Sequence, residues 1–234
     1  MIAYWGDKEP NFGDILNKNL LDHYGVNYVH SNVHEKSNLF VIGSVARLAT
    51  SGSIVIGSGA IRSTEKYNQS VNFRSVRGPR THEIVLRSGG TCPKTFGDPA
   101  LLLPRFVPAQ EKKYKIGATV HYQHQRRDII SRLKELGYHY IDILNNDPIY
   151  VAKEISSCEK MVSTSLHGII AAHAYGIPAA HLNVGIKLFG DGIKFKDHYE
   201  AMNLEHSCDN IDSLIFRTGT LPDLDAIENE IKKL

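Results

Sequence analysis

The sequence has few of the features that assign a chain quickly. Its three cysteines, Cys92, Cys158 and Cys208, are odd in number and widely spaced. They form neither a disulfide framework nor a CxxC zinc pattern, which favours a reducing cytoplasm. Neither sign of charge is in excess: the formal net charge is +2, so no broad basic surface speaks for nucleic acid. No apolar run approaches the roughly 18–20 residues needed to cross a bilayer. The opening Met1-Ile-Ala-Tyr-Trp-Gly6 lacks the basic-then-apolar order of a signal peptide, and none is expected. No internal repeat or low-complexity tract is evident. Histidine is abundant, at 12 residues, yet HExxH is absent. His121, His124 and His139 would meet at a metal only by coincidence of folding, and no metal site is expected.

What is present describes a globular α/β protein. With 234 residues, 42% hydrophobic and 22% charged, the chain can bury one large core or two small ones. Residues 115–120, 140–144, 160–163 and 179–182 read as strands separated by helical patterns. One helix, over 126–136, is amphipathic and stops at Gly137. Another is capped by Asn146 or Asp147, with Pro148 in its first turn. The N-terminal half repeats this rhythm, with strands at 2–5, 39–42, 53–56 and 73–76 and helices near 14–24 and 79–87. Such alternation implies parallel βαβ units. The proline-bearing, charged segment 104–113 is the best linker. The expected architecture is two Rossmann-like lobes, 1–106 and 107–234, whose parallel sheets face a cleft. The last helix, 224–234, packs back on the N-terminal lobe.

Ligands of open parallel sheets bind beyond the carboxyl ends of the strands, and the unusual motifs fall there. Ser163-Thr-Ser-Leu-His-Gly168 reads as a strand end, a hydroxyl-rich turn and a helix start. Ser163 and Ser165 can cap free amides, the helix start favours an anion, and Leu166, His167 and Gly168 form the first turn. Asn11-Phe-Gly13-Asp14 places Asp14 either as a helix cap or as a carboxylate at the cleft floor. Gly57-Ser58-Gly59 permits a tight turn and close backbone approach. Ser75-Val-Arg77-Gly-Pro-Arg80-Thr81 offers two arginines, either solvated in a turn or binding phosphate or carboxylate. Asp98, in Gly97-Asp-Pro99, is a turn former or a site residue. Together these loops supply cations, carboxylates, an imidazole and a helix N-terminus. That set suits a phosphorylated substrate whose reaction needs proton transfer.

These motifs, together with Lys194-Phe-Lys-Asp-His-Tyr199, resemble the polysaccharide pyruvyltransferase family in order and spacing from residue 11 to about residue 200. The resemblance implies a fold like that of GT-B glycosyltransferases. It also implies transfer of pyruvate from phosphoenolpyruvate to two hydroxyls of a sugar in a bacterial exopolysaccharide, capsule or cell-wall glycan precursor. The products would be a cyclic ketal and phosphate. No cofactor is implied, phosphoenolpyruvate being the donor substrate. The acceptor, in many members still attached to a lipid carrier, would draw a cytoplasmic enzyme to the inner face of the membrane. His167, Asp14 and Arg77 are the expected catalytic residues, with His167 as general acid or as a donor to the phosphate and Asp14 as base on the acceptor hydroxyl. Asn11, Gly13, Gly57, Ser58, Gly59, Arg80, Asp98, Ser163, Ser165, Leu166, Gly168 and Lys194 are the expected binding residues. One departure stands out. Ser165 occupies a position where many members carry arginine, so the charge must come from Arg77 and Arg80, with Arg62, Lys187 and Lys194 in reserve. Acceptor specificity is expected in loops 6–12 and 62–72. Two other readings stay open: a GT-B-like glycosyltransferase using a nucleotide sugar, and a non-catalytic glycan- or anion-binding homologue.

Overall fold

The computed structural model describes residues 1–7 and 10–234, so part of loop 6–12 lies outside the described residues. The first half runs β1 (Ile2–Tyr4), α1 (Phe12–His23), β2 (Val29–Ser31), β3 (Leu39–Phe40), β4 (Ile54–Val55), β5 (Asn72–Phe73) and α2 (Pro79–Arg87). A 3-10 helix, Pro99–Arg105, follows. The second half runs β6 (Tyr114–Thr119), α3 (Arg127–Glu135), β7 (His139–Ile141), α4 (Pro148–Ser156), β8 (Cys158–Ser163), α5 (Leu166–Ala174) and β9 (Ala179–His181). It closes with α6 (Ile193–Ala201) and α7 (Leu224–Lys232).

Both sheets are parallel. The first has strand order β2-β1-β3-β4-β5 and the second β7-β6-β8-β9. In each, the chain steps outward from a central strand in both directions. Loops on either side of that reversal diverge and leave a crevice at the carboxyl ends of the strands. The reversals lie between β1 and β3 in one sheet and between β6 and β8 in the other.

Local signals account for many of the helices. Asp147 caps α4 by accepting from the amides of Ile149 and Tyr150, both at 3.0 Å, with Pro148 in the first turn. In α1, Phe12, Leu16 and Leu20 form one buried face. Within that face Asn17 exchanges hydrogen bonds with both backbone groups of Ile42, at 2.9 and 3.2 Å, and fixes the loop after β3. Every residue of α5 is buried, so it shows no polar face at all.

One apolar cluster runs through both halves, from Phe12, Leu16 and Leu101 to Ile143, Ile169 and Phe195. The amide of Phe12 also donates to the carbonyl of Ile143 at 3.0 Å. Segment 104–113 is tied down, with Lys112 Nζ donating to the carbonyls of Ser156 and Cys158. Two late helices return to the first half. On α6, Asp197 accepts from the amide and hydroxyl of Thr81 on α2, at 2.9 and 2.6 Å. On α7, Asp225 and Glu228 pair with Arg105, the former at 2.7 Å. No helix among the described residues is long and apolar enough to cross a membrane.

Candidate functional site

A cavity of about 240 Å³ lies where the two crevices face each other. Loops from both strand reversals line it. Asn11 and Asp14 follow β1, and Ser44 and Arg47 follow β3. His121 follows β6, while Ser165 and His167 follow β8. Lys194, from the first turn of α6, completes the wall.

The glycines of the motifs explain how these loops fit together. A β-carbon on Gly13 would overlap the imidazole of His167, so the ring lies directly on the first turn of α1. A β-carbon on Gly57 would strike Pro99 and the carbonyl of Gly97, and one on Gly59 would strike the guanidinium of Arg77. Gly78 gives room to Asp197 in the same way, and Gly168 to Thr119 and Ser163. Gly13, Gly57, Gly59 and Gly78 each receive an atom of another motif, at separations from about 20 to 150 residues along the chain.

Asp14 is not the cap of α1. That place belongs to Asn11, whose side-chain amide donates to Asp14 Oδ2 at 2.9 Å. Burial raises the carboxyl pKa of Asp14 against the opposing pull of His167, Asn11 and Lys194. Lys194 shows the reverse: burial and then Arg77 bring its ammonium down to about 8, with Asp14 resisting. His121 is held neutral, pushed down to about 3 by burial and by Lys194.

The turn before α5 works differently from the expected side-chain cap. Ser165 occupies the N-cap position with no side-chain capping bond. Ser163 Oγ takes that role for the turn, accepting from Ser165 N and Thr119 Oγ1 and donating to Ser165 O at 2.8 Å. The first bond of the helix runs from Ile169 N to Ser165 O, so the amides of Leu166, His167 and Gly168 have no acceptor within the helix. The start of α1 leaves Gly13 and Asp14 in the same state. Two helix N-termini therefore border one cavity, an arrangement that favours a negatively charged ligand.

The two arginines expected at the anion do not line this cavity. Arg77 is fully buried: Nε donates to Asp197 at 3.2 Å, Nη2 to the carbonyl of Ala60 at 2.6 Å, and Nη1 to Ser44 Oγ at 2.7 Å. It reaches the cavity only through Ser44. Arg80 lies on the surface in a bidentate pair with Glu200. Ser58 is buried behind the wall and shapes it, donating to Gly43 O and accepting from Val45 N. Asp98 is completely buried behind His167. The cations that do line the cavity are Lys194 and Arg47. Arg47, Tyr4, Ser44, His121, Tyr122 and Gln123 carried no motif that sequence reasoning could use, although Tyr4 ends a strand and Arg47, Ser44 and His121 follow strands. His139 sits apart, paired with Glu154 at 2.7 Å.

Fold and site together describe an α/β protein with a polar, cation-bearing cavity between two parallel sheets. The family model for polysaccharide pyruvyl transferase matches residues 5–185, and the chain belongs to that family. It is a polysaccharide pyruvyltransferase. It is 31% identical over 210 residues to an uncharacterized protein of Acanthamoeba polyphaga mimivirus, covering 85% of this chain and 73% of that protein. It is also 30% identical over 187 residues to the succinoglycan biosynthesis protein ExoV of Rhizobium meliloti, covering 75% of this chain and 57% of ExoV. No solved structure matches.

Proposed function

We propose that the chain transfers pyruvate from phosphoenolpyruvate to two hydroxyls of one sugar residue, in an exopolysaccharide, capsule or cell-wall glycan precursor. The observation that carries this reading is the seating of His167 on Gly13, in one cavity with Asp14 and Lys194. An acid–base pair, a buried ammonium and two helix N-termini are what an enol phosphate bearing a carboxylate needs.

Phosphoenolpyruvate reacts once a proton reaches its methylene carbon, which leaves the neighbouring carbon electrophilic. His167 delivers that proton. Asp14, made more basic by burial, takes the proton of the first sugar hydroxyl as its oxygen adds to that carbon. The second hydroxyl then displaces phosphate, passing its own proton to the departing phosphate, and closes the ketal. Atoms balance as donor plus diol giving ketal plus phosphate. Lys194, Arg47 and the amides at the start of α5 hold the carboxylate and the departing phosphate. Here Lys194 supplies the charge missing at Ser165, and the Ser165 hydroxyl adds a hydrogen bond.

The test compares phosphoenolpyruvate with UDP- and GDP-sugars by thermal shift. A ligand at 100 times its Kd stabilises the folded state by about 2.7 kcal/mol. Stabilisation by phosphoenolpyruvate, and phosphate release once acceptor is added, is the expected result. A shift with nucleotide sugars alone would overturn the reading in favour of glycosyl transfer.

A further inference from the structure

A second, larger cavity of about 530 Å³ adjoins the first, and Lys194 and Phe189 line both. Its outer wall is the segment between β9 and α6, which is clipped across to the first half of the molecule. The amide and hydroxyl of Ser63 donate to Asp191 Oδ2 at 2.8 and 2.6 Å. Arg62 stacks over the Phe189 ring at 4.8 Å, and the amide of Phe189 donates to Gln123 Oε1 at 3.2 Å. Gly190, at φ +105°, lets the segment pass against the carbonyl of Ile61. Phe189 is held in this way although it is 53% exposed.

Three features of the lining point to one ligand class. Lys187, Lys194 and Lys196 all contribute. The one carboxylate among the described lining residues, Asp191, is already committed to Ser63 and to the amide of Ile193. Three ammonium groups face one carboxylate, so the lining is net positive. The second feature is aromatic: His181 stacks on Phe195 at 3.7 Å between ring centroids, and Phe189 stands at the rim. The third is a buried polar atom without a partner. His124 is 3% exposed, and its Nε2 lies 3.0 Å from the carbonyl of Ile186, so Nε2 carries the hydrogen. Burial lowers its pKa and favours the neutral ring, which leaves Nδ1 as an acceptor with no donor.

We infer that this cavity binds the acceptor as an anionic saccharide, with a sugar ring against Phe189 and its phosphate or carboxylate at Lys187 and Lys196. The inference rests on the pyruvyl-transfer reading above, since it makes the shared wall of Lys194 and Phe189 the passage between acceptor and donor. It moves acceptor recognition from loop 6–12 to the segment after β9. Loop 62–72 contributes through Arg62 and Ser63, as clips on that segment. A phosphate-linked sugar and a uronic acid present the same chemistry, and the experiment separates them.

The probes are glucose, galactose and mannose 1-phosphates, the matching uronic acids and the neutral methyl glycosides. Each is titrated by ligand-observed NMR with phosphoenolpyruvate saturating. Binding by one anionic series, weakened about tenfold in a Lys187→Ala/Lys196→Ala double variant and again by Phe189→Ala, is the expected result. The phosphoenolpyruvate thermal shift of the double-lysine variant should stay at the wild-type value, which also reports that it folds. Three results would each overturn the inference: no binding by either anionic series, equal binding of the methyl glycosides, or binding displaced by phosphoenolpyruvate. The last would place the sugar phosphate in the first cavity. A wild-type protein that phosphoenolpyruvate does not stabilise would count against the donor reading, whereas the lysine dependence of sugar binding reports on this cavity alone.

Discussion

Asp98 Oδ2 stands 3.7 Å from Nε2 of His167, and both atoms are buried without another partner. The other carboxylate oxygen of Asp98 accepts from the amide of Ala100 at 3.0 Å, which fixes the group in place. A small closure would make the pair a hydrogen bond, as happens when catalytic contacts tighten around substrate. Asp98 then accepts the Nε2 hydrogen and leaves Nδ1, the side of the ring against Gly13, to carry the second proton, the one that the ring delivers. Asp98 does not line the cavity, so its part is to position His167.

Asp98→Asn should therefore lower turnover by about 10²-fold or more while leaving the KM for phosphoenolpyruvate nearly unchanged. Steady-state phosphate release is the measurement. Wild-type kcat in the folded variant would remove the positioning role. His167→Ala should cost about 10²–10⁴-fold in turnover with the fold retained.

Gly13→Ala is the smallest change that should disable the site. The added methyl meets the His167 ring, and one of the two must move. Overpacking of this kind costs about 1–3 kcal/mol. Turnover should fall further than the melting temperature suggests, since the displaced ring is the proposed acid. A calorimetric scan beside a phosphate-release assay separates the two effects.

Lys194 gives a pH dependence with a definite sign. Its folded-state pKa, about 8, lies below the 10.5 of an ordinary lysine. Between those values the unfolded chain binds more protons, so this group makes the ligand-free protein more stable as pH rises through that window. The ligand behaves oppositely. On the proposed role of Lys194, phosphoenolpyruvate binding needs the charged ammonium, so its KM should climb above about pH 8. Lys194→Met should weaken binding at every pH and flatten that rise.

Arg77 and Asp197 form a buried ion pair with no exposed side-chain area on either partner. Removing one partner strands the other charge, at a cost of about 3–5 kcal/mol. Arg77→Met should fail chiefly in folding, with a large drop in the urea midpoint. The folded fraction should keep the wild-type phosphoenolpyruvate affinity. A folded variant with normal stability and lost affinity would return Arg77 to direct contact with the donor.

Much of this molecule was legible without coordinates. Asp147-Pro148 announces α4, and Gly176-Ile-Pro178 ends the helix that Ser165-Leu-His-Gly168 begins, because caps and breakers act within a few residues. Alternating strands and helices carry the parallel topology in the same local way. His167, Asp14 and Lys194 were visible as chemistry at strand ends or in a family motif, and the structure brings them to one cavity.

Other elements left weaker traces. The strand β2 is three residues long with partly exposed side chains, and α6 follows two positive-φ glycines after an irregular segment. Neither offers the run of periodic residues on which a sequence reading depends. The role of arginine was equally hidden. Arg77 looks like a loop cation until Asp197, 120 residues later, closes over it. Arg47 looks ordinary until the strand reversals turn it toward the cavity.

The sequence by itself determined the elements and the inventory of reactive groups, since hydrogen-bonding periodicity, capping and backbone preference are properties of neighbouring residues. Only the tertiary structure decided which groups meet. The ring of His167 rests on Gly13 and beside Asp98 because three distant loops pack with no room for a β-carbon at Gly13. Packing of that kind depends on the shapes of all the partners at once, and no single segment of the chain carries it.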